Sequence, residues 1–154
     1  MSAPDRATAA PVSDARPADG YAGDVTPKQA WTLLQSDPDA VLVDVRTDAE
    51  WRFVGVPDLS STGREHLQVQ WVDVEGRPNP AFVADLAAAG VTPETPVVFL
   101  CRSGARSIGA AKAATAAGLG PAYNVLEGFE GALDGAGHRG SDGWRAAGLP
   151  WKQS

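Results

Sequence analysis

The amino-acid sequence predicts an open α/β sheet, mainly parallel, with helices on both faces. Two observations carry that prediction. Residues 41–45, 96–100 and 123–126 are short apolar runs with the length and aliphatic density of strands buried on both faces. Segments with helix-capping residues and helically spaced apolar positions separate these runs, and strand, helix, strand in one sheet implies right-handed crossovers. At 154 residues, with 44% hydrophobic and 21% charged side chains, the chain suits a single globular domain.

Residues 1–23 are rich in Ala, Pro and Asp, lack apolar periodicity and hold Val12 as their one bulky aliphatic side chain, so a disordered tail is expected there, with the ordered domain over 24–154. The tail lacks the basic start and apolar middle of a secretory signal, and its three Asp argue against a transit peptide; the expectation is a cytoplasmic protein. Order should begin where Thr26 caps a helix, Pro27 takes its first position and Gln29 completes a capping box. Ala30, Trp31, Leu33 and Leu34 form the apolar face, and Asp37-Pro38-Asp39 ends it. After the strand at 41–45, Thr47 and Glu50 repeat the capping box and lead a short helix into Trp51 and Phe53, ended by Val56-Pro57-Asp58. Residues 67–74 alternate apolar and polar, as a strand with one solvated face would, and 75–78 read as a turn. Asn79 should cap a helix from Pro80, with Phe82, Val83 and Leu86 inward and Gly90 as its stop. The strand at 96–100 leads through a glycine-containing turn into an Ala-rich helix over 105–117, and 123–126 closes the strand set.

A net charge of −6 argues against nucleic acid or an anionic membrane as partner, and no stretch approaches the ~18 apolar residues of a membrane span. One cysteine makes neither an internal disulfide nor a Cys-rich zinc site, and His66 and His138 add little metal-binding capacity, so no metal is expected. Cys101 is left as either packing or chemistry.

In open α/β sheets the site lies at the carboxyl ends of the strands, which makes residues 44–46, 101–107 and 127–131 expected neighbours. Cys101 ends an apolar strand and is followed by Arg102-Ser103-Gly104-Ala105-Arg106-Ser107 and a helix. Free amides at that helix start, the positive end of its dipole and two guanidinium groups favour a thiolate over a thiol. No acidic residue occurs between Glu94 and Glu127, whereas Arg102, Arg106 and Lys112 all do, which reads as a local funnel for an anion.

Cys-Arg-Ser-Gly-Ala-Arg-Ser at 101–107 resembles the active-site loop of rhodanese-like sulfurtransferases. The Asp44-Val45-Arg46 stretch followed by Glu50-Trp51 is similar to the family's amino-terminal signature, and residues 124–129 with 144–150 resemble its carboxyl-terminal one. Together the three segments cover about residues 25–151. The resemblance implies a rhodanese-like fold, and a Cys101 that takes a sulfane sulfur from a small anionic donor such as thiosulfate. The resulting persulfide would pass its sulfur to cyanide, a small thiol or a protein thiol. It implies no metal or organic cofactor. Loop groups from Arg102, Ser103, Gly104, Ala105, Arg106 and Ser107 would cradle the persulfide; Arg102 and Arg106 would attract the donor, with Arg106 in part structural; and Asp44 and Arg46 would support the loop, unless they are a simple surface ion pair.

Two other readings stand beside it. Cysteine phosphatases and arsenate reductases resemble the arrangement but place the anion-binding Arg six positions after Cys, where this chain has Ser107; a noncatalytic rhodanese-fold binding or sensing module is the other. The chain also departs from the family pattern twice. Gly55-Val56-Pro57-Asp58-Leu59 replaces a Gly-His-Ile-Pro-Gly type segment, which puts local packing in question. Residues 134–143 form an insert with four glycines, read as a flexible loop beside the site, in which His138 and Arg139 are candidate contacts for the acceptor.

Overall fold

The computed structural model describes Val12, residues 14–73 and residues 75–153. Its strands are β1 (Arg16–Ala18), β2 (Tyr21–Val25), β3 (Val41–Asp44), β4 (Val56–Pro57), β5 (Leu67–Gln68), β6 (Val97–Leu100), β7 (Ala122–Val125) and β8 (Trp151–Lys152). The helices are α1 (Pro27–Ser36), α2 (Asp48–Phe53), α3 (Phe82–Ala88) and α4 (Arg106–Ala116). Six strands form the central sheet in the order β1-β2-β7-β6-β3-β5, in which only β1 runs antiparallel to its neighbour. β4 and β8 pair antiparallel as a separate ribbon.

Side-chain alternation along the strands divides the interior into two cores. Leu42, Val98, Leu100, Tyr123 and Val125 point to one face, where Ala30, Leu33 and Leu34 of α1 meet Phe129, Trp144 and Leu149. Val43, Val97, Phe99 and Ala122 point to the other, against Phe82 and Leu86 of α3 and Ala110, Ala111 and Ala114 of α4. Helices therefore cover both faces, as the buried apolar runs require. Both expected capping boxes form: Thr26 Oγ1 accepts from the Gln29 amide while Gln29 Oε1 accepts from that of Thr26, and Thr47 and Glu50 repeat the exchange. No helix among the described residues is long and apolar enough to cross a membrane.

The tail expected over 1–23 needs correction. Residues 1–11 and 13 lie outside the described residues, but β1 and β2 form a hairpin over part of the remainder, and β2 adds to the sheet with Gly23 opposite Tyr123 and Val25 opposite Val125. Backbone pairing to β7 orders a segment whose own side chains supply little apolar area. The strand expected over 67–74 is also shorter. Only Leu67 and Gln68 pair with β3 as a strand, and Trp71 turns inward to stack edge-on against Phe82 at 5.1 Å, leaving a hairpin in which Asp73 Oδ1 accepts from the Glu75 and Arg77 amides. Val74 lies outside the described residues. Helix α3 begins at Phe82, two residues after the expected Pro80, because Asn79 Oδ1 accepts from the Ala81 amide and closes a turn first.

In the segment that lacks the family's His, a Cβ at Gly55 would stand 2.9 Å from the Trp151 ring, so the backbone entering β4 packs directly on that ring. Trp144 is fully buried, meets Trp31 edge-on at 6.0 Å and donates its indole N–H to the Pro150 carbonyl at 2.7 Å. Trp144→Ala should lower stability by about 3–5 kcal/mol, measured by urea denaturation; an unchanged midpoint would show that the carboxyl-terminal segment contributes nothing to the α1-side core.

Candidate active site

Parallel alignment brings the carboxyl ends of β3, β6 and β7 together, with Asp44 opposite Leu100 and Phe99 opposite Asn124. Cys101 follows β6 directly and is 1% exposed. The loop after it folds back so that the Gly104 N–H donates to Cys101 Sγ at 3.1 Å, with Gly104 at φ +101°, a conformation open to glycine at little cost. Ser107, in the first turn of α4, places its Oγ 3.2 Å from Sγ. Behind it the hydroxyl donates to Asn124 Oδ1, Asn124 Nδ2 donates to Asp24 Oδ1 at 2.9 Å, and the Tyr21 hydroxyl donates to the same Asp24 oxygen at 2.8 Å. Burial, then the bond to Asp24 and its charge, push the Tyr21 pKa up to about 12, so Tyr21 stays a donor.

The turn after β7 closes over this loop. Phe129 N–H donates to the Cys101 carbonyl at 2.8 Å and Glu130 N–H to that of Arg102 at 3.0 Å. Gly128 makes the approach possible, since a Cβ there would lie 2.5 Å from the Arg102 carbonyl carbon and the Cys101 oxygen. Glu127, a non-glycine residue at φ +69°, is held in place as its carboxylate accepts from the Gly143 amide at 3.0 Å. Residues 44–46, 101–107 and 127–131 are thus neighbours, as expected.

The charged residues divide by partner. Asp44 and Arg46 are fully buried and ion-paired at 2.7 Å, which rules out the surface-pair reading. Arg46 also donates to the Gly55 carbonyl at 2.8 Å and stacks its guanidinium 4.3 Å from the Phe129 ring centre. Arg106, expected to attract the donor, is instead bound by both Glu50 oxygens, at 2.7 and 2.9 Å. Burial alone would raise the Glu50 carboxyl, but hydrogen bonds from Arg106 and the Thr47 amide outweigh it and hold the pKa down to about 2. Arg106 therefore ties the cysteine loop to α2. Arg102 is half-exposed, 3.2 Å from Glu130. Ser103 is half-buried and Ala105 exposed.

The insert expected as a flexible loop is a hydrogen-bonded turn. Asp134 Oδ1 accepts from the Ala136 and His138 amides, Gly140 N–H reaches the Glu130 carbonyl, and Asp142 Oδ1 accepts from Ala132. Its glycines supply positive φ angles at Gly137, Gly140 and Gly143. His138 is exposed, whereas Arg139 donates to the Gly131 carbonyl at 2.8 Å and so braces the site's edge. Among the described residues no group of three or more His, Cys, Asp or Glu is placed to hold a metal ion.

Sequence reasoning gave no site role to Asp24, Asn124 or Tyr21, and read Glu50 as a helix cap and a signature residue without its tie to Arg106. One signal was present: an Asn inside an apolar strand must find a buried partner. Glu50→Gln keeps the capping acceptor and removes the charge, so it should lower stability at neutral pH by about 1–2 kcal/mol. A depressed carboxyl stabilises above its unfolded pKa, so the gap between variant and parent should close as pH falls from about 4.5 toward 2. Urea titrations at neutral and acid pH measure this; a gap independent of pH would contradict the ion-pair account.

The STR4 middle domain family model matches residues 22–154. The crystal structure of Rv0390 from M. tuberculosis is 61% identical with a TM-score of 0.80, covering 87% of this chain and 99% of that one. The solution structure of the 30 kDa polysulfide-sulfur transferase homodimer from Wolinella succinogenes is 30% identical with a TM-score of 0.56, over 83% of this chain and 76% of that one. Rhodanese-like domain-containing protein 4, chloroplastic, of Arabidopsis thaliana is 29% identical over 80% of this chain and 24% of its own length. With its cysteine loop closed between three parallel strand ends, the chain belongs to the STR4 middle domain family and is a small rhodanese-like domain.

Proposed function

We propose that this domain is a sulfurtransferase that carries a sulfane sulfur on Cys101. The observation that bears most weight is the Gly104 N–H donating to Sγ from a loop wrapped around the end of β6, because an amide aimed at sulfur stabilises negative charge on it. The similarity to the Wolinella polysulfide-sulfur transferase supports the same chemistry.

In the first half-reaction the Cys101 thiolate attacks the outer sulfur of thiosulfate or a like donor. The bond from that sulfur to the sulfonate breaks, and sulfite leaves with the electron pair. In the second, cyanide or a thiolate attacks the terminal persulfide sulfur, and Cys101 regains the electron pair of the S–S bond as a thiolate. Arg102 supplies the positive charge for the anionic donor, since its guanidinium stays half-exposed while Nε meets Glu130 at 3.2 Å, whereas Arg106 is more buried and bound by both Glu50 oxygens. The acceptor approaches beside residues 127–131 and the insert, where exposed His138 is available and Arg139 is engaged with backbone. The same geometry disfavours a phosphatase: position six after the cysteine is Ser107, bonded to Asn124, and neither it nor the paired Arg106 offers a free guanidinium to a phosphate.

Cys101→Ser should abolish thiosulfate:cyanide sulfur transfer while leaving the fold intact, and retained turnover would sink the proposal. Arg102→Ala should raise the KM for thiosulfate about tenfold, equivalent to ~1.4 kcal/mol, with the parent's KM rising as salt screens the same attraction. Arg106→Ala should act mainly on stability. A donor KM untouched by Arg102→Ala and by salt would remove Arg102 from the mechanism.

A further inference from the structure

The chain of groups behind Cys101 has a fixed direction, and that direction bears on the sulfur. Asp24 carries an acceptor-only carboxylate, so the side of the Asn124 amide facing it must be Nδ2, at 2.9 Å. Asn124 Oδ1 is thereby turned toward Ser107 and takes that residue's single hydroxyl proton. Ser107 Oγ then faces Sγ, 3.2 Å away, with a lone pair. In this arrangement a thiol can donate to Ser107, whereas a thiolate meets an oxygen that has already given its proton elsewhere. Cys101, Ser107 and Asn124 are each at most 1% exposed, so water cannot readily supply the missing donor.

We propose that Asp24 and Asn124 are positioning residues that hold the Ser107 proton away from Cys101, so that the buried chain restrains ionisation of the thiol while the Gly104 N–H favours it. When the thiol proton is lost to solvent, Sγ and Asn124 Oδ1 compete for one hydroxyl hydrogen, and the anchored amide biases the outcome toward Asn124. Releasing that amide lets Nδ2 turn to Ser107 Oγ and frees the Ser107 O–H for the sulfur. The inference concerns the thiol itself and holds whichever sulfur donor the domain uses.

Other charged groups near the two ends are engaged or offset. Around Cys101 stand Arg106 of α4, paired with Glu50 of α2; Asp44 of β3, paired with Arg46; and Arg102, paired with Glu130. Around Asp24 stand Tyr21 of the same strand and Arg16, opposite it in register on β1, while Lys112 of α4 packs its stem near Gly20. Because Asp24 is itself charged, a test must separate its charge from its role as an acceptor.

The test is the pH profile of iodoacetamide alkylation of Cys101 in the full chain, followed by intact mass. Asp24→Ala removes the anchor, and Asn124→Leu removes the competing acceptor at similar volume. Each should lower the pH midpoint by about one unit, a roughly tenfold gain in rate at neutral pH. Asp24→Asn removes the charge but keeps an oxygen where Asn124 Nδ2 and the Tyr21 hydroxyl need one, so its midpoint should stay with the parent. A shift in Asp24→Asn equal to that in Asp24→Ala would assign the effect to charge alone and overturn the proposal. An unmoved or raised midpoint in Asn124→Leu would overturn it as well, and that variant decides the matter if Asp24→Ala fails to fold.

Discussion

The buried Arg46 guanidinium is the contact on which the site's architecture depends. It meets the Asp44 carboxylate from the end of β3, the Gly55 carbonyl at the approach to β4 and the face of Phe129 in the turn that closes over the cysteine loop. A charge with no exposure to water is tolerable only when paired and hydrogen-bonded, so each of these partners is held where Arg46 requires it. Phe129 in turn binds the Cys101 carbonyl through its amide. The sulfur's position is therefore set from below by the sheet and from the side by this cation.

Around that anchor, the domain places polar groups where its own pattern calls for apolar ones. Asp44, Ser107 and Asn124 are fully buried at the ends of strands and at the start of a helix that otherwise bury Val, Leu, Phe and Ala. Each is matched to a partner: Asp44 to Arg46, Ser107 to Asn124, and Asn124 to Asp24. Such local departures, kept satisfied, are what the candidate site costs a fold whose strands and helices otherwise bury apolar side chains. The arginines of the cysteine loop follow the same logic, Arg106 fixing the loop to α2 while Arg102 remains half in solvent.

What was legible in the sequence was local. The capping boxes at Thr26 and Thr47 and the apolar runs that become β3, β6 and β7 depend on residues a few positions apart, and they formed where expected. The cysteine loop was legible because Cys101 ends an apolar run and is followed within six residues by a glycine, two arginines and two serines, a pattern that stands out locally. Long-range partners were not. The β1–β2 hairpin is ordered by pairing between Gly23 and Tyr123, which no local property of an Ala- and Pro-rich stretch announces. Arg106 finds Glu50 across 56 residues, and Asp24 finds Asn124 across 100. The insert misled through its glycines: they permit the turn angles of an ordered loop built on Asp134 as readily as they permit flexibility.

The claim at the centre of this account is that Cys101 accepts and carries one sulfur atom. Intact-mass analysis of the full chain after incubation with thiosulfate, before and after a reductant, tests it without assuming any acceptor. The account predicts a mass gain of one sulfur atom that localises to the peptide containing Cys101 and is removed by reduction. An unchanged mass under conditions where the thiol remains free and the protein folded would contradict it.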